Sequence, residues 1–134
     1  MPIITWNDSY SVKVKEMDDQ HKKLIDLINQ LHDAMKVGKG KEVVGNVLNV
    51  MTDYTRRHFA SEENLMRIHG YSGYEEQKKA HDHMVTQVVD MKTKFENGSV
   101  HSQQVISFLK DWLIRHIQGM DQKYGSYFNS KGVE

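Results

Sequence analysis

The chain has no cysteine, a single proline and no net charge, and these absences exclude several kinds of site. Without cysteine there are no disulfides, thiolate zinc sites or thiol catalysis. Lys and Arg together number 18, as do Asp and Glu, so no global charge attracts nucleic acid or an anionic membrane. No apolar run approaches the ~20 residues that span a bilayer, and the opening segment lacks the pattern of a signal peptide. A soluble, cytoplasmic protein without nucleic-acid or membrane partners is therefore expected.

The apolar residues recur at intervals of three and four, which predicts amphipathic helices. Their length and the scarcity of proline suit long helices, and 134 residues predict one domain, 1–134. Asp18 or Asp19 is placed to cap the first helix, and Gly38 and Gly40 to end it. The predicted elements are an arm at 1–17, helices at about 19–37, 41–68, 75–96 and 102–119, and a tail at 122–134. Short turns make successive helices antiparallel, so the predicted fold is all-α, an up-down-up-down four-helix bundle with an extended N-terminal arm.

Polar side chains interrupt the apolar stripes, and all of them fall at one end of this bundle. In an alternating bundle, the starts of the first and third helices share an end with the finishes of the second and fourth. Burying such groups without partners costs several kcal/mol each, and a metal would supply the partner. The convergent residues are His21, His58, Glu62, Gln77, His81, His116 and Asp121.

These candidates exceed the four ligands that one zinc ion takes, whereas two ions sharing two carboxylates would use them well. Imidazole with carboxylate suits iron, manganese or zinc, so the metal stays open at this point. One spacing is imperfect, because five residues separate His116 from Asp121 and place them about 140° apart on an ideal helix. The helix must therefore end or distort between them, through Gly119 or a π-type widening.

Together, four segments resemble the hemerythrin family, especially its bacterial single-domain members. They are MDDQHKKL, HFASEENLM, YSGYEEQKKAHDHM and WLIRHIQGMDQKY, and the resemblance covers nearly the whole chain. It implies two iron ions joined by an oxo or hydroxo bridge and two carboxylates, with dioxygen binding to the iron that has an open position.

Residue by residue, the resemblance implies that His21 and His58 ligate the iron that binds dioxygen. His81 and His116 would ligate the other iron. Glu62 and Asp121 would bridge the two ions. A hydrophobic wall beside the ligands would keep water and protons away from dioxygen, and its implied members are Leu24, Phe59, Trp112, Leu113, Ile117 and Tyr124.

Gln77 departs from the family pattern, which has two histidines four residues apart at the start of the third helix. An amide oxygen is a weaker, neutral donor than imidazole. Three roles are open for Gln77: it ligates, it holds a ligating water, or it stands aside and leaves the second iron with an open position. An open position would admit small anions or peroxide.

The leading hypothesis is an oxygen-binding protein rather than an enzyme, serving oxygen storage, delivery, transport or sensing. The alternatives are a di-iron peroxidase or oxidase enabled by Gln77, and a bundle in which metal serves only as a structural staple. Residues off the stripes are predicted to lie at the surface. Those residues are His32, Glu63, His69, His83 and His101.

Overall fold

The computed structural model describes residues 3–36 and 41–134, and these form a helical bundle without strands. A 3-10 turn at Asp8–Tyr10 lies in the arm, and a π-helical turn at Ile117–Asp121 joins the last two helices. The α-helices are α1 Lys15–Lys36, α2 Lys41–Ile68, α3 Tyr74–Glu96, α4 Ser102–His116 and α5 Gln122–Ser130. The all-α four-helix bundle is confirmed, while the turn predicted at Gly38 and Gly40 lies outside the described residues.

The apolar stripes form one core along the axis of the bundle. In α1 the buried positions include Met17, Leu24, Ile28 and Leu31, at the three- and four-residue spacing that keeps one face inward. Helix α1 packs against α2 and α4, and α2 packs against α3, while α3 and α4 contact each other more sparsely than these pairs do. Within the described residues, no helix is both long enough and apolar enough to cross a membrane.

Helix α1 begins four residues before the predicted start, and Asp18 contacts the arm instead of capping the helix. Its Oδ1 accepts a hydrogen bond from the Val12 backbone N–H at 2.8 Å, and its Oδ2 accepts one from the Ser11 hydroxyl at 2.6 Å. Asp19 instead pairs with Lys15 at 2.7 Å on the surface. Asp18 therefore binds the arm from within the first turn of α1, and neither Asp18 nor Asp19 is the N-cap of the helix.

The predicted tail also differs, because the chain continues from α4 through the π turn into α5. Tyr124 and Phe128 on α5 are fully buried, and Gly125 lies directly against the backbone of Val12 in the arm. The other end of the arm is held by Asn29, which accepts from the Ile4 N–H at 3.0 Å and donates to the Ile4 carbonyl at 2.8 Å. Arm and α5 together close the end of the bundle that carries the polar cluster.

Candidate metal centre

The structure brings all seven predicted polar residues together at one level of the core. Each main helix contributes at least one, and the π turn contributes the last. Exposure ranges from 0% for His21 and Glu62 to 6% for His116. The members are His21, His58, Glu62, Gln77, His81, His116 and Asp121.

One group of potential ligands surrounds His21. Its Nε2 lies 3.2 Å from Asp121 Oδ2 and 3.6 Å from Glu62 Oε2. His58 Nε2 lies 3.1 Å from Glu62 Oε1, because a spacing of four residues stacks the two side chains on one face of α2. These four residues offer ligand atoms that all lie within 4.8 Å of one another.

A second group is formed by His81, His116 and Asp121, whose ligand atoms also lie within 4.8 Å of one another. The Nε2 atoms of the two histidines are 3.2 Å apart, and His116 Nε2 lies 3.2 Å from Asp121 Oδ1. Glu62 Oε1 is 3.4 Å from His81 Nε2. Asp121 thus faces both groups with different oxygens, and Glu62 also contacts histidines of both.

The cluster has the signature of a ligand set rather than of a hydrogen-bonded core. Among the described residues, several buried atoms of the cluster have no hydrogen-bond partner. These atoms are His21 Nδ1, His21 Nε2, Glu62 Oε1 and Gln77 Oε1. Ligands about 2.1 Å from a shared ion lie about 3 Å from one another without pointing at each other. The residues therefore fit a metal, which would satisfy at least His21 Nε2 and Glu62 Oε1.

The close approach of histidines and carboxylates shifts the pKa values of several groups in the cluster. Burial favours neutral His21, but the approach of Asp121 and Glu62 outweighs burial and raises its pKa to about 9. Burial also opposes the ionisation of Glu62, yet His58 and His21 hold its pKa well below the usual value. The pKa of His81 is lowered, chiefly by burial. A metal entering this cluster must displace a proton from His21, since only neutral imidazole ligates.

The π turn explains how Asp121 reaches the cluster. A π-helix has a wider turn than an α-helix, so residues five apart come onto one face. His116 ends α4 and Asp121 ends the π turn, and their side chains meet at 3.2 Å. Of the two distortions that the sequence allows, widening of the helix is the one found. Gly119 takes no left-handed backbone conformation here.

Comparison with known proteins decides the family. A family model described as the hemerythrin HHE cation binding domain matches residues 12–128. The bacteriohemerythrin of Methylococcus capsulatus is 36% identical over 127 aligned residues, which cover 93% of this chain and 96% of that protein. The chain belongs to the hemerythrin family. The bacteriohemerythrin of Stenotrophomonas maltophilia is 33% identical, covering 92% of this chain and 80% of its own. A crystal structure of wild-type hemerythrin has a TM-score of 0.85 at 35% identity, covering 92% of this chain and 96% of its own.

Hemerythrin membership implies iron as the metal, and the structure shows what holds the imidazoles in position. His58 Nδ1 lies 2.6 Å from Gln20 Oε1, and His81 Nδ1 lies 2.8 Å from Glu63 Oε2. Such outer contacts fix the ring and leave Nε2 free for metal. The prediction that Glu63 is solvent-exposed is therefore wrong, because its side chain is only 13% exposed.

Gln20 was also missed as a functional residue, and its contact crosses from α1 to α2. The periodicity of a single helix carries no signal for such contacts. Among the off-stripe histidines, His83 and His101 are exposed as predicted, whereas His32 and His69 are half-buried.

Two aromatic rings lie flat on the imidazoles of the second group. Phe59 stacks on His81 with ring centroids 3.8 Å apart and planes 2° apart. Trp112 stacks on His116 at 4.4 Å and 12°. A third aromatic residue, Tyr124, donates its hydroxyl proton to Glu62 Oε2. These contacts fix the direction of the ligand atoms in the hemerythrin core.

A small cavity of about 20 Å³ lies next to the cluster, toward the middle of the bundle. Four of its lining residues lie three positions from the four histidines, and these are Leu24, Thr55, Met84 and Leu113. Trp112 also lines it. Thr55 is its polar member, but the hydroxyl donates to the Met51 carbonyl at 2.7 Å. The space is thus apolar and large enough for a molecule about the size of water.

The predicted hydrophobic wall is therefore divided between four places. Leu24, Trp112 and Leu113 line the cavity. Phe59 covers the second group, and Tyr124 holds Glu62. Ile117 is buried in the core at the start of the π turn.

Proposed function

We propose that this chain is a non-haem di-iron protein that binds dioxygen reversibly, for storage, delivery or sensing, as one domain in the cytoplasm. The observation that carries the proposal is the pair of ligand groups sharing Asp121 beside an apolar cavity. One ion would leave half of this buried polar set without a partner, at a cost of several kcal/mol. Two ions would satisfy it.

The roles follow from the contacts. His21 and His58 would hold one iron, and His81 and His116 the other. Glu62 and Asp121 would bridge, since each contacts histidines of both groups. Bound there, iron would supply the electrons for a reversible exchange with dioxygen.

The chain itself keeps that exchange reversible by excluding water and protons. The cavity is lined mainly by Leu, Ile, Met and Trp side chains, and the hydroxyl of Thr55 is turned to a backbone carbonyl. Apart from the Trp112 indole, the remaining lining side chains are aliphatic or thioether groups, which donate no proton to a molecule bound there. The Tyr124 hydroxyl is likewise engaged by Glu62 and holds that carboxylate in place.

The test is anaerobic loading with ferrous iron, followed by alternating exposure to air and argon. We expect two irons per chain by metal analysis and a visible spectrum that changes under air and reverts under argon. The test variant is His81→Ala, whose histidine is buried in the cluster. The matched control is His83→Ala, which changes an exposed histidine of the same helix. Only His81→Ala should lower the iron count and abolish the spectral cycle.

Two results would contradict the proposal. An iron content far below two per chain after loading would remove its basis, and zinc retention with no response to oxygen would leave a structural bundle. Catalytic consumption of peroxide with a reductant, without reversible spectral change, would favour the peroxidase or oxidase that Gln77 suggests. Gln77 supports that candidate because it leaves the second group with two imidazoles.

A further inference from the structure

Gln77 occupies the second group without completing it. Its side chain is 2% exposed, and its Nε2–H donates to Asp121 Oδ1 at 3.0 Å. Its Oε1 is buried and has no partner among the described residues. An amide oxygen is a neutral, weak donor, so incoming ligands displace it from a metal more readily than imidazole.

The second group is also the one that approaches the surface. A groove of about 510 Å³ between α3 and α4 is lined by His116 itself, together with Trp112, Met120 and Ala80. The small Ala80 side chain lies one helical turn from Gln77 on α3. Helices α3 and α4 contact each other more sparsely than α1 contacts α2 or α2 contacts α3, and the groove lies along this looser pair.

The groove carries a cation next to the ligand. Arg115 is exposed, lines the groove and directly precedes His116. Asp111 lies on the same wall but more than one turn farther along α4. An anion approaching His116 therefore meets the guanidinium near the end of its path, and the 6% exposure of His116 admits only a small one.

We propose that the second metal position carries an exchangeable site for a small monoanion, opened by Gln77 and entered through the α3–α4 groove past Arg115. The inference rests on the proposed di-iron function and adds a second ligand site to it. The first group, with its ligands around His21, does not line this groove. Substitutions in the groove should therefore change anion binding at the second group without changing the first group.

The probe is azide, titrated into the iron-loaded, oxidised protein and followed by its optical spectrum and by calorimetry. We expect one more azide equivalent per chain in the wild type than in Gln77→His, since an added imidazole fills the exchangeable position. Gln87→His is the matched control, because it makes the same change on α3 and lines the same groove at its far end. It should keep the wild-type count.

Gln77→Ala is a second variant that tests the same position if Gln77→His folds poorly. Removing the amide leaves the position open, so this variant should bind as many azide equivalents as the wild type. Equal counts in the wild type and Gln77→His would overturn the inference, as would loss of an equivalent in Gln77→Ala at full iron content.

The groove is tested by Arg115→Gln against Lys110→Gln, which removes the same charge from α4 outside the groove. Arg115→Gln should slow association of the second azide equivalent about two- to fivefold in stopped-flow without changing the count, and Lys110→Gln should not. Equal association rates in the two variants would overturn the groove as the entry path. Iron content is measured on every sample, so a shortfall below two irons would count against the di-iron function, not the anion site.

Discussion

At the scale of single residues, His58 and His81 differ in the group that contacts their Nδ1 atom. The Nδ1 atom of His58 faces a neutral amide oxygen of Gln20, whereas that of His81 faces the carboxylate of Glu63. A carboxylate acceptor makes the imidazole a more basic ligand than an amide does. Glu63 thus strengthens His81 in the very group where Gln77 stands in for a stronger donor.

Replacing Glu63 by Gln tests this compensation. The variant keeps an acceptor oxygen for His81 Nδ1 but removes its charge, so we expect the affinity of the second group for iron to fall about 10- to 100-fold. Iron release to a competing chelator measures the change. Glu42→Gln is the control, because it removes an exposed acid from the same helix. Similar release from both variants would show that the charge of Glu63 does not matter.

Glu63 also shows where sequence reasoning stops at this scale. The position of Glu62 followed from its spacing of four from His58, which any helix converts into a shared face. Glu63 points away from that face, and its partner lies on another helix. Sequence periodicity describes one helix at a time, so contacts between helices such as Glu63–His81 and Gln20–His58 are invisible to it.

At the scale of secondary structure, the π turn at Ile117–Asp121 sets the geometry of the centre. It accommodates one residue more than an α-helical turn and so brings Asp121 onto the face of His116. The five-residue spacing predicted a break or a distortion here but could not choose between them. In the structure the chain stays helical beyond the turn, where Tyr124 and Phe128 of α5 are buried.

Two glycines near this turn have opposite expected responses to alanine. At Gly119 an added Cβ would meet nothing within 4 Å, so Gly119→Ala should raise the free energy of unfolding by about 0.4–1 kcal/mol and leave the iron count unchanged. At Gly125 the Cβ would lie 2.1 Å from the Val12 carbonyl oxygen, so Gly125→Ala should be destabilising. Urea unfolding measures both. Loss of iron from Gly119→Ala would mean that the turn needs glycine.

Some helix bounds follow from the local sequence, and others depend on contacts with distant parts of the chain. The end of α2 and most of α3 follow from apolar spacing and from the glycines that separate them. The start of α1 does not, because Asp18 is bonded to the arm rather than placed at the helix terminus. Likewise α5 is helical where the sequence predicted a tail, since it packs against the arm.

At the scale of the whole molecule, a polar cluster lies inside an otherwise apolar bundle. The apolar core runs along all the main helices and includes the fully buried Met17, Leu31 and Met66. This core supports the helices without metal, because a chain of this size buries about two-thirds of its unfolded surface. Without a bound ion, the unpartnered nitrogen and oxygen atoms of the cluster lower the free energy of unfolding.

Removing iron should therefore lower the melting temperature without unfolding the bundle at room temperature. Free metal at 100-fold above its dissociation constant stabilises a native protein by about 2.7 kcal/mol, which for a domain of this size corresponds to roughly 10 °C. Far-UV circular dichroism during a thermal scan, before and after reduction and chelation, measures both quantities. In His81→Ala the same treatment should shift the melting temperature less, since part of the ligand set is already missing. An unchanged melting temperature after complete iron loss would mean that the cluster is satisfied by its own protons, and that metal does not stabilise this bundle.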